Sequence, residues 1–259
     1  MRLFFIIPCC AVQAVLGYDG PPPLTEVDGR SPIRMGGEML GGYRSYYIHR
    51  GEKMGGDSLE GQISGGASLS DSWAVSGELF AIRNWQRRHF SQTTLHGEVQ
   101  YYLADECTAG FFVNGQRYDS CPLKNGAEPG LSLKWNPTPS WSFRGSLLYD
   151  SGQEGVYSQW NVTWQPLLCE SVAMVNTVSL GFAHDYLGRN GLKELMVRTG
   201  ALWAVSGGLR VEPFLGWYCG YGRDDFKKVV LALVLLRFLT GGFLRFSGIF
   251  LLPNGEAWS

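Results

Sequence analysis

Between residues 18 and 226 the chain has no unbroken apolar run long enough for a membrane helix, which takes about 20 residues. A helical membrane protein is therefore excluded over that stretch. Charge is scarce too. Charged residues make up 17% of the 259, Lys and Arg number 22 against 23 Asp and Glu, and the net charge is -1. With no basic cluster, nucleic acid is not an expected partner. Catalytic signatures are missing as well: there is no G-x-S-x-G, no H-E-x-x-H and no Gly-rich phosphate loop in strand–helix context. Histidine occurs only 4 times, and none of the 6 cysteines has zinc-ligand spacing. No catalytic set, metal site or cofactor is expected.

What the chain does have is strict alternation. In "SLEGQISGGASLSDSWAVSGELFAIRNW" (58–85), Leu59, Ile63, Ala67 and Leu69 alternate with Ser58, Glu60, Gln62, Ser64 and Ser68. After a break at Asp71–Ser72, Trp73, Val75, Leu79 and Ala81 continue the apolar side. Period two means a strand with its faces in different media. Each arm runs about twelve residues, against about five or six for strands of soluble proteins. At ~3.3 Å per residue that is roughly 40 Å, and a ~45° tilt brings it near the ~30 Å of a bilayer's hydrocarbon core. The same pattern recurs around 95–103, 131–135, 141–149, 156–165, 177–182, 194–203 and 209–217, with weaker members near 36–49 and 107–113.

The connections sort by parity. Short breaks at 70–72, 104–106, 137–139, 166–170 and 205–207 alternate with longer polar stretches at 50–57, 86–92, 114–128, 151–155, 186–192 and 221–227. Outer-membrane barrels have short periplasmic turns and longer external loops, and closure leaves no unpaired backbone in lipid. The expected fold is all-β: a transmembrane antiparallel up-and-down barrel of about twelve strands over residues 36–238. Trp73, Trp85, Trp135, Trp141, Trp164, Trp203 and Trp217 are the expected aromatic girdle.

The ends are read as follows. Residues 1–17, with Arg2 and an apolar run from Leu3 to Leu16, read as a secretory signal peptide. Residues 18–35 read as a flexible lead-in outside the sheet. "KVVLALVLLRF" (228–238) is the expected closing strand, with Val230, Ala232, Val234, Leu236 and Phe238 as its lipid face and an apolar inner face opposite. Residues 239–259 are then an atypical apolar tail. Two other accounts make the C-terminal stretch a frameshift product or a membrane helix from Val229 to Leu252. Arg237 and Arg245 would each cost such a helix ~2.5–3.5 kcal/mol.

On these grounds the chain resembles bacterial outer-membrane β-barrel proteins as a class, over roughly residues 36–238. The resemblance lies in architecture and carries no family motif, so it implies no site residues. Twelve-stranded members of the class include small-solute channels and an outer-membrane phospholipase, so the fold leaves the activity open. It implies export to the outer membrane, lipid as a partner, and contact with the barrel-assembly machinery through the closing strand ending near Phe238.

The inward parity carries the candidate site. Glu60, Glu78 and Glu98 lie on early strands; Lys134, Arg144, Arg198 and Arg210 lie on later ones, with Glu194 and Glu212 among them. An acidic wall facing a mostly basic one would orient small polar or charged solutes in a water-filled lumen. Passive passage of such solutes is the first expectation. A non-conducting barrel acting through external loops is the second, and a rim enzyme on lipid or peptide the third. His49, His89 and His184 are placed at the outer rim, and His96 beside a luminal carboxylate. Cys107 and Cys121 are a candidate disulfide closing the 114–128 loop over the mouth.

Overall fold

The computed structural model describes residues 34–84, 90–119, 123–169, 171–206, 209–221 and 226–239. The signal peptide, most of the lead-in, Trp85, His89, Cys121 and residues 240–259 lie outside the described residues. The strands are β1 (Arg34–Arg44), β2 (Tyr47–His49), β3 (Glu52–Gly55), β4 (Ser58–Ser68), β5 (Trp73–Asn84), β6 (Ser91–Ala104), β7 (Cys107–Asp119) and β8 (Gly126–Thr138). They continue as β9 (Trp141–Asp150), β10 (Gly155–Trp164), β11 (Leu167–Cys169), β12 (Val172–Tyr186), β13 (Arg189–Ser206), β14 (Leu209–Gly220) and β15 (Phe226–Leu239).

Twelve of these form one antiparallel ring. The main sheet runs from β10 back through β9, β8, β7, β6, β5, β4 and β1 to β15, β14, β13 and β12. The β10–β12 ladder closes it, from Val156↔His184 to Trp164↔Asn176. Short β11 hangs on the edge of β12, and β2–β3 is a separate hairpin. Among the described residues, no helix is long and apolar enough to cross a membrane.

The burial pattern is inside out relative to a water-soluble protein. Val75, Val99, Phe111, Leu131 and Leu147 stand in one register row across β5 to β9; the last four of them are exposed. The intervening Gln62, Glu78, Thr94, Gln116 and Ser146 are buried toward the axis. An apolar outward belt around a polar interior is what hydrocarbon outside and polar groups inside demand. Even positions face inward from β4 through β9. Odd positions do so on β10 and β12, and even ones again on β13 and β14, as the exposure of Trp160, Val178, Val197 and Leu215 shows.

Four expectations need correction. The strand β1 starts at Arg34, so the end of the lead-in joins the sheet. The stretch 114–128 is mostly strand, because β7 runs on to Asp119 and β8 begins at Gly126. Arg117 and Asp119 face outward with side chains 74% and 55% exposed, above the apolar belt, so the continuing strand reads as a polar loop. The C-terminal run is a strand pairing with both β14 and β1, and its parity is the reverse of that expected. Val229 is exposed while Val230 is buried against Ile48, Met196, Phe214 and Tyr218. Both its faces are apolar at that level because one meets lipid and the other meets the inserted first loop.

The Cys107–Cys121 bridge is the fourth. Cys107 is free and begins β7 at the short-turn end. From Cys107 to Asp119 at the other rim is the full length of β7, roughly 40 Å at ~3.3 Å per step. Disulfide Cα atoms lie within about 7 Å, so two further residues to Cys121 cannot close that gap.

Candidate functional site

The candidate site is the lumen, and a loop that sequence reading placed outside it fills its long-loop half. Residues 45–57, between β1 and β4, fold back inward as the β2–β3 hairpin. His49 pairs with Glu52 across a two-residue turn, in which Arg50 has φ 46° and Gly51 φ 73°. Two successive left-handed residues are the type I′ geometry that matches strand twist in a tight hairpin. Tyr47, Ile48, His49 and Arg50 are all buried.

The hairpin tip is held by the surrounding wall. Arg50 donates to Glu128 on β8 at 2.6 Å, to Asp150 on β9 at 3.2 Å and to the Tyr186 hydroxyl on β12 at 3.2 Å. Its guanidinium lies 5.2 Å and 5.6 Å from the ring centres of Tyr157 and Tyr186. The Gly51 amide donates to Glu194 on β13 at 2.7 Å, and the Tyr157 hydroxyl on β10 donates to the same carboxylate at 2.6 Å. His49 Nε2 is 2.9 Å from the Tyr118 hydroxyl on β7, Tyr47 donates to Gln92 on β6, and Lys193 pairs with Glu52. Glu128, fully buried, also accepts from Asn114 at 2.9 Å and Gln116 at 3.2 Å.

These contacts explain the chemistry of the tip. A guanidinium in a lumen bounded by lipid is tolerable because it reaches two carboxylates and two aromatic faces at once. His49 belongs to the loop, not to a spanning strand. Burial, and next the charge of Arg50, pushes its pKa from 6.5 down to about 3. It is therefore a neutral hydrogen-bonding group inside the lumen, not at the outer rim where it was expected. The structure also leaves a cavity of about 80 Å³ under the tip, bordered by Arg50, His96, Glu98, Asn114, Arg144 and Gln159.

The expected lining residues are all on inward positions, but they do not form two opposed walls. Glu60 pairs with Arg44 on the adjacent strand, and Arg198 pairs with Glu212 while its guanidinium sits 3.6 Å over the Phe214 ring. Charge on those strands is thus locally cancelled. Glu78 accepts from Gln62 at 2.9 Å. Glu98 accepts from Ser132 at 2.5 Å and Gln100 at 2.8 Å, with His96 Nε2 at 3.7 Å. Arg144 borders the same cavity as Glu98, and Lys134 stands opposite Arg144 across the β8–β9 ladder. Arg210 is half-buried on β14. The expected lining carboxylates Glu78 and Glu98 thus stand on β5 and β6, and the cations Lys134 and Arg144 on β8 and β9.

The tryptophans Trp73, Trp135, Trp141, Trp164 and Trp203 are exposed toward the short-turn ends, where Trp141 stacks near Trp164 at 6.1 Å. Trp217 is exposed toward the opposite rim. His184 and Asp185 are both highly exposed, with their nearest charged atoms 3.9 Å apart.

Sequence reasoning missed Arg44, Tyr47, Arg50, Glu128, Asp150, Tyr157, Tyr186 and Lys193. One signal was available. "YIHRGEKM" has a residue–Gly pair between two short runs, a hairpin-turn spacing. Glu128 and Asp150 also fall on inward positions near the long-loop ends of their strands, whereas Tyr186 is buried only because the register of β12 shifts at its end, where Asp185 has φ 54°.

The ring closure, inside-out burial and connection parity define an outer-membrane-type antiparallel β-barrel. The solved structures it is similar to agree. An outer-membrane channel from Pseudomonas putida F1 aligns with TM-score 0.53 at 10% identity, covering 79% of this chain and 95% of that one. The KdgM porin aligns with TM-score 0.51 at 8% identity, covering 77% and 98%. The NanC porin does so with TM-score 0.50 at 14% identity, covering 79% and 100%. No family model matches the chain, and no curated protein matches its sequence.

Proposed function

We propose that this chain is a channel of the bacterial outer membrane for passive passage of small polar or charged solutes, and not an enzyme. One observation carries the reading. Several inward residues toward the short turns, among them Lys134, Thr163, Thr177, Arg210 and Glu212, are only half-buried, although Ala74 and Gln100 at that end are buried, whereas those toward the long loops are sealed by the hairpin. A charged lumen reached by solvent from one side and shut on the other by an inserted hairpin, against which Phe90, Leu123 and Leu187 of neighbouring connections pack, is what a channel in its closed form requires. The resemblance in fold to porins supports the same class. On this reading residues 1–17 direct export, the short turns are periplasmic, and lipid meets the apolar belt. The exposed tryptophans form the girdle at its edges. The closing strand, through Phe238, is the segment offered to the barrel-assembly machinery.

A second reading is favoured by the completeness of the hairpin's contacts: a non-conducting barrel that acts through its external loops. Proteoliposome swelling separates the two. A variant in which residues 46–56 are replaced by a short turn, checked for barrel closure by its heat-modifiable gel shift, should admit small sugars and ions and exclude larger ones. Vesicles that stay tight with that closed barrel would sink the channel reading and leave the second.

A further inference from the structure

We propose that the 45–57 hairpin is a latch caught by Arg50, and that lifting it uncovers an acidic mouth of Glu128, Asp150 and Glu194 that favours cations. The proposal rests on the channel reading and adds to it how the lumen opens and which charge it then prefers.

The latch follows from where the hairpin's polar contacts go. Arg50, Gly51 and His49 bond to the barrel wall, on β8, β9, β12, β13 and β7. Between themselves, β2 and β3 pair only over Tyr47↔Gly55, Ile48↔Lys53 and His49↔Glu52. A hairpin this short is not stable alone in water. Its conformation is imposed by the wall, and Arg50 adopts its left-handed backbone there at a cost that the ion pairs offset. Seated and lifted positions are thus two arrangements, with Arg50 the group that loses most on lifting.

The preference for cations follows from what the wall keeps. Seated, Arg50 neutralises Glu128 and Asp150, while the Gly51 amide and the Tyr157 hydroxyl satisfy Glu194. Lifted, those three carboxylates face the water of the mouth. Among the described residues Lys193, released from Glu52, is the cation added back to that inner ring. The excess is negative, and rings of carboxylates select cations.

The test is planar-bilayer recording on the full chain, wild type against Arg50→Ala, with hydrogen exchange of the 45–57 segment read in parallel and the 46–56 loop-shortened variant as reference. Removing one partner of a buried ion pair costs enough to shift such an equilibrium by about a hundredfold. The expected result is a mostly shut wild type and a roughly hundredfold higher open probability in Arg50→Ala, with loss of exchange protection. The reversal potential in a salt gradient should be cation-selective and fall toward neutrality when Glu128→Gln is added. Conduction by the wild type equal to the loop-shortened barrel, or a protected and shut Arg50→Ala, would overturn the latch while leaving the channel standing. Anion selectivity of the open variant would overturn the acidic mouth. Silence of the loop-shortened barrel would instead overturn the channel reading beneath both. If Arg50→Ala does not close into a barrel, Asp150→Asn, which removes one anchor of similar shape, takes its place with the same outcomes.

Discussion

Gly51→Ala is the smallest change that tests whether the hairpin is seated as described. A Cβ at this position would lie 2.3 Å from the Lys193 carbonyl oxygen and 3.0 Å from its carbon, both backbone atoms, and φ there is +73°. Left-handed backbone costs alanine about 1–2 kcal/mol. Relieving the clash needs a retreat of about 1 Å, taking the 2.7 Å Gly51–Glu194 bond beyond hydrogen-bond range. A hydrogen bond to a charged group is worth about 1.5–3 kcal/mol. The two together come to about 2.5–5 kcal/mol, or at least about fiftyfold in the seated-to-lifted ratio at 1.4 kcal/mol per factor of ten. Hydrogen exchange of peptides covering 45–57 should quicken by that factor, with the barrel's heat-modifiable mobility unchanged. Gly41→Ala, where an added Cβ meets nothing within 4 Å, should leave exchange as in the wild type. Unchanged protection in Gly51→Ala would refute the seating of the tip against β13.

Three further outcomes are expected. Because His49 seated has a pKa of about 3 against 6.5 in water, it binds its proton only when the hairpin lifts. Its contribution to seating is complete above pH 6.5 and falls about tenfold per pH unit below that. Arg44, Arg50, Glu128, Tyr47 and Tyr118 face it, so the His49 share is the difference between wild type and His49→Gln in exchange measured from pH 7 to 5. Leu79→Arg, in the outward row with Ile63 and Leu95, should cost about 2–4 kcal/mol of barrel stability, read as a lower urea midpoint for refolding into lipid. An equal midpoint would argue against lipid at that position. Cys169, exposed beside a short turn, should react with a membrane-impermeant maleimide offered from the periplasmic side and not from outside; the reverse would invert the topology.

Much of the barrel was legible because two solvents impose period two. Leu59 and Glu60, or Trp160 and Gln159, could be assigned to opposite faces from sequence alone, as could the alternating connection lengths. Legibility ended where one of the two solvents changes. Above the belt, Arg117 and Asp119 meet water, so the outer part of β7 loses its contrast and looks like a loop. At Val230 the inner face meets Ile48 of the hairpin instead of water, so β15 looks apolar on both sides and its parity cannot be read. The site itself was least visible. Arg50 meets its partners Glu128, Asp150 and Tyr186 across 78, 100 and 136 residues of sequence. That meeting depends on a loop turning inward, which local pattern does not encode.

The measurement that bears most directly on the central claim is single-channel conductance of the full chain beside its loop-shortened variant, in one planar bilayer at one voltage. The account predicts long shut periods for the full chain and discrete ohmic steps as soon as the hairpin is gone. A loop-shortened barrel that closes normally and never conducts would contradict it, because the lumen would then be filled by its own wall.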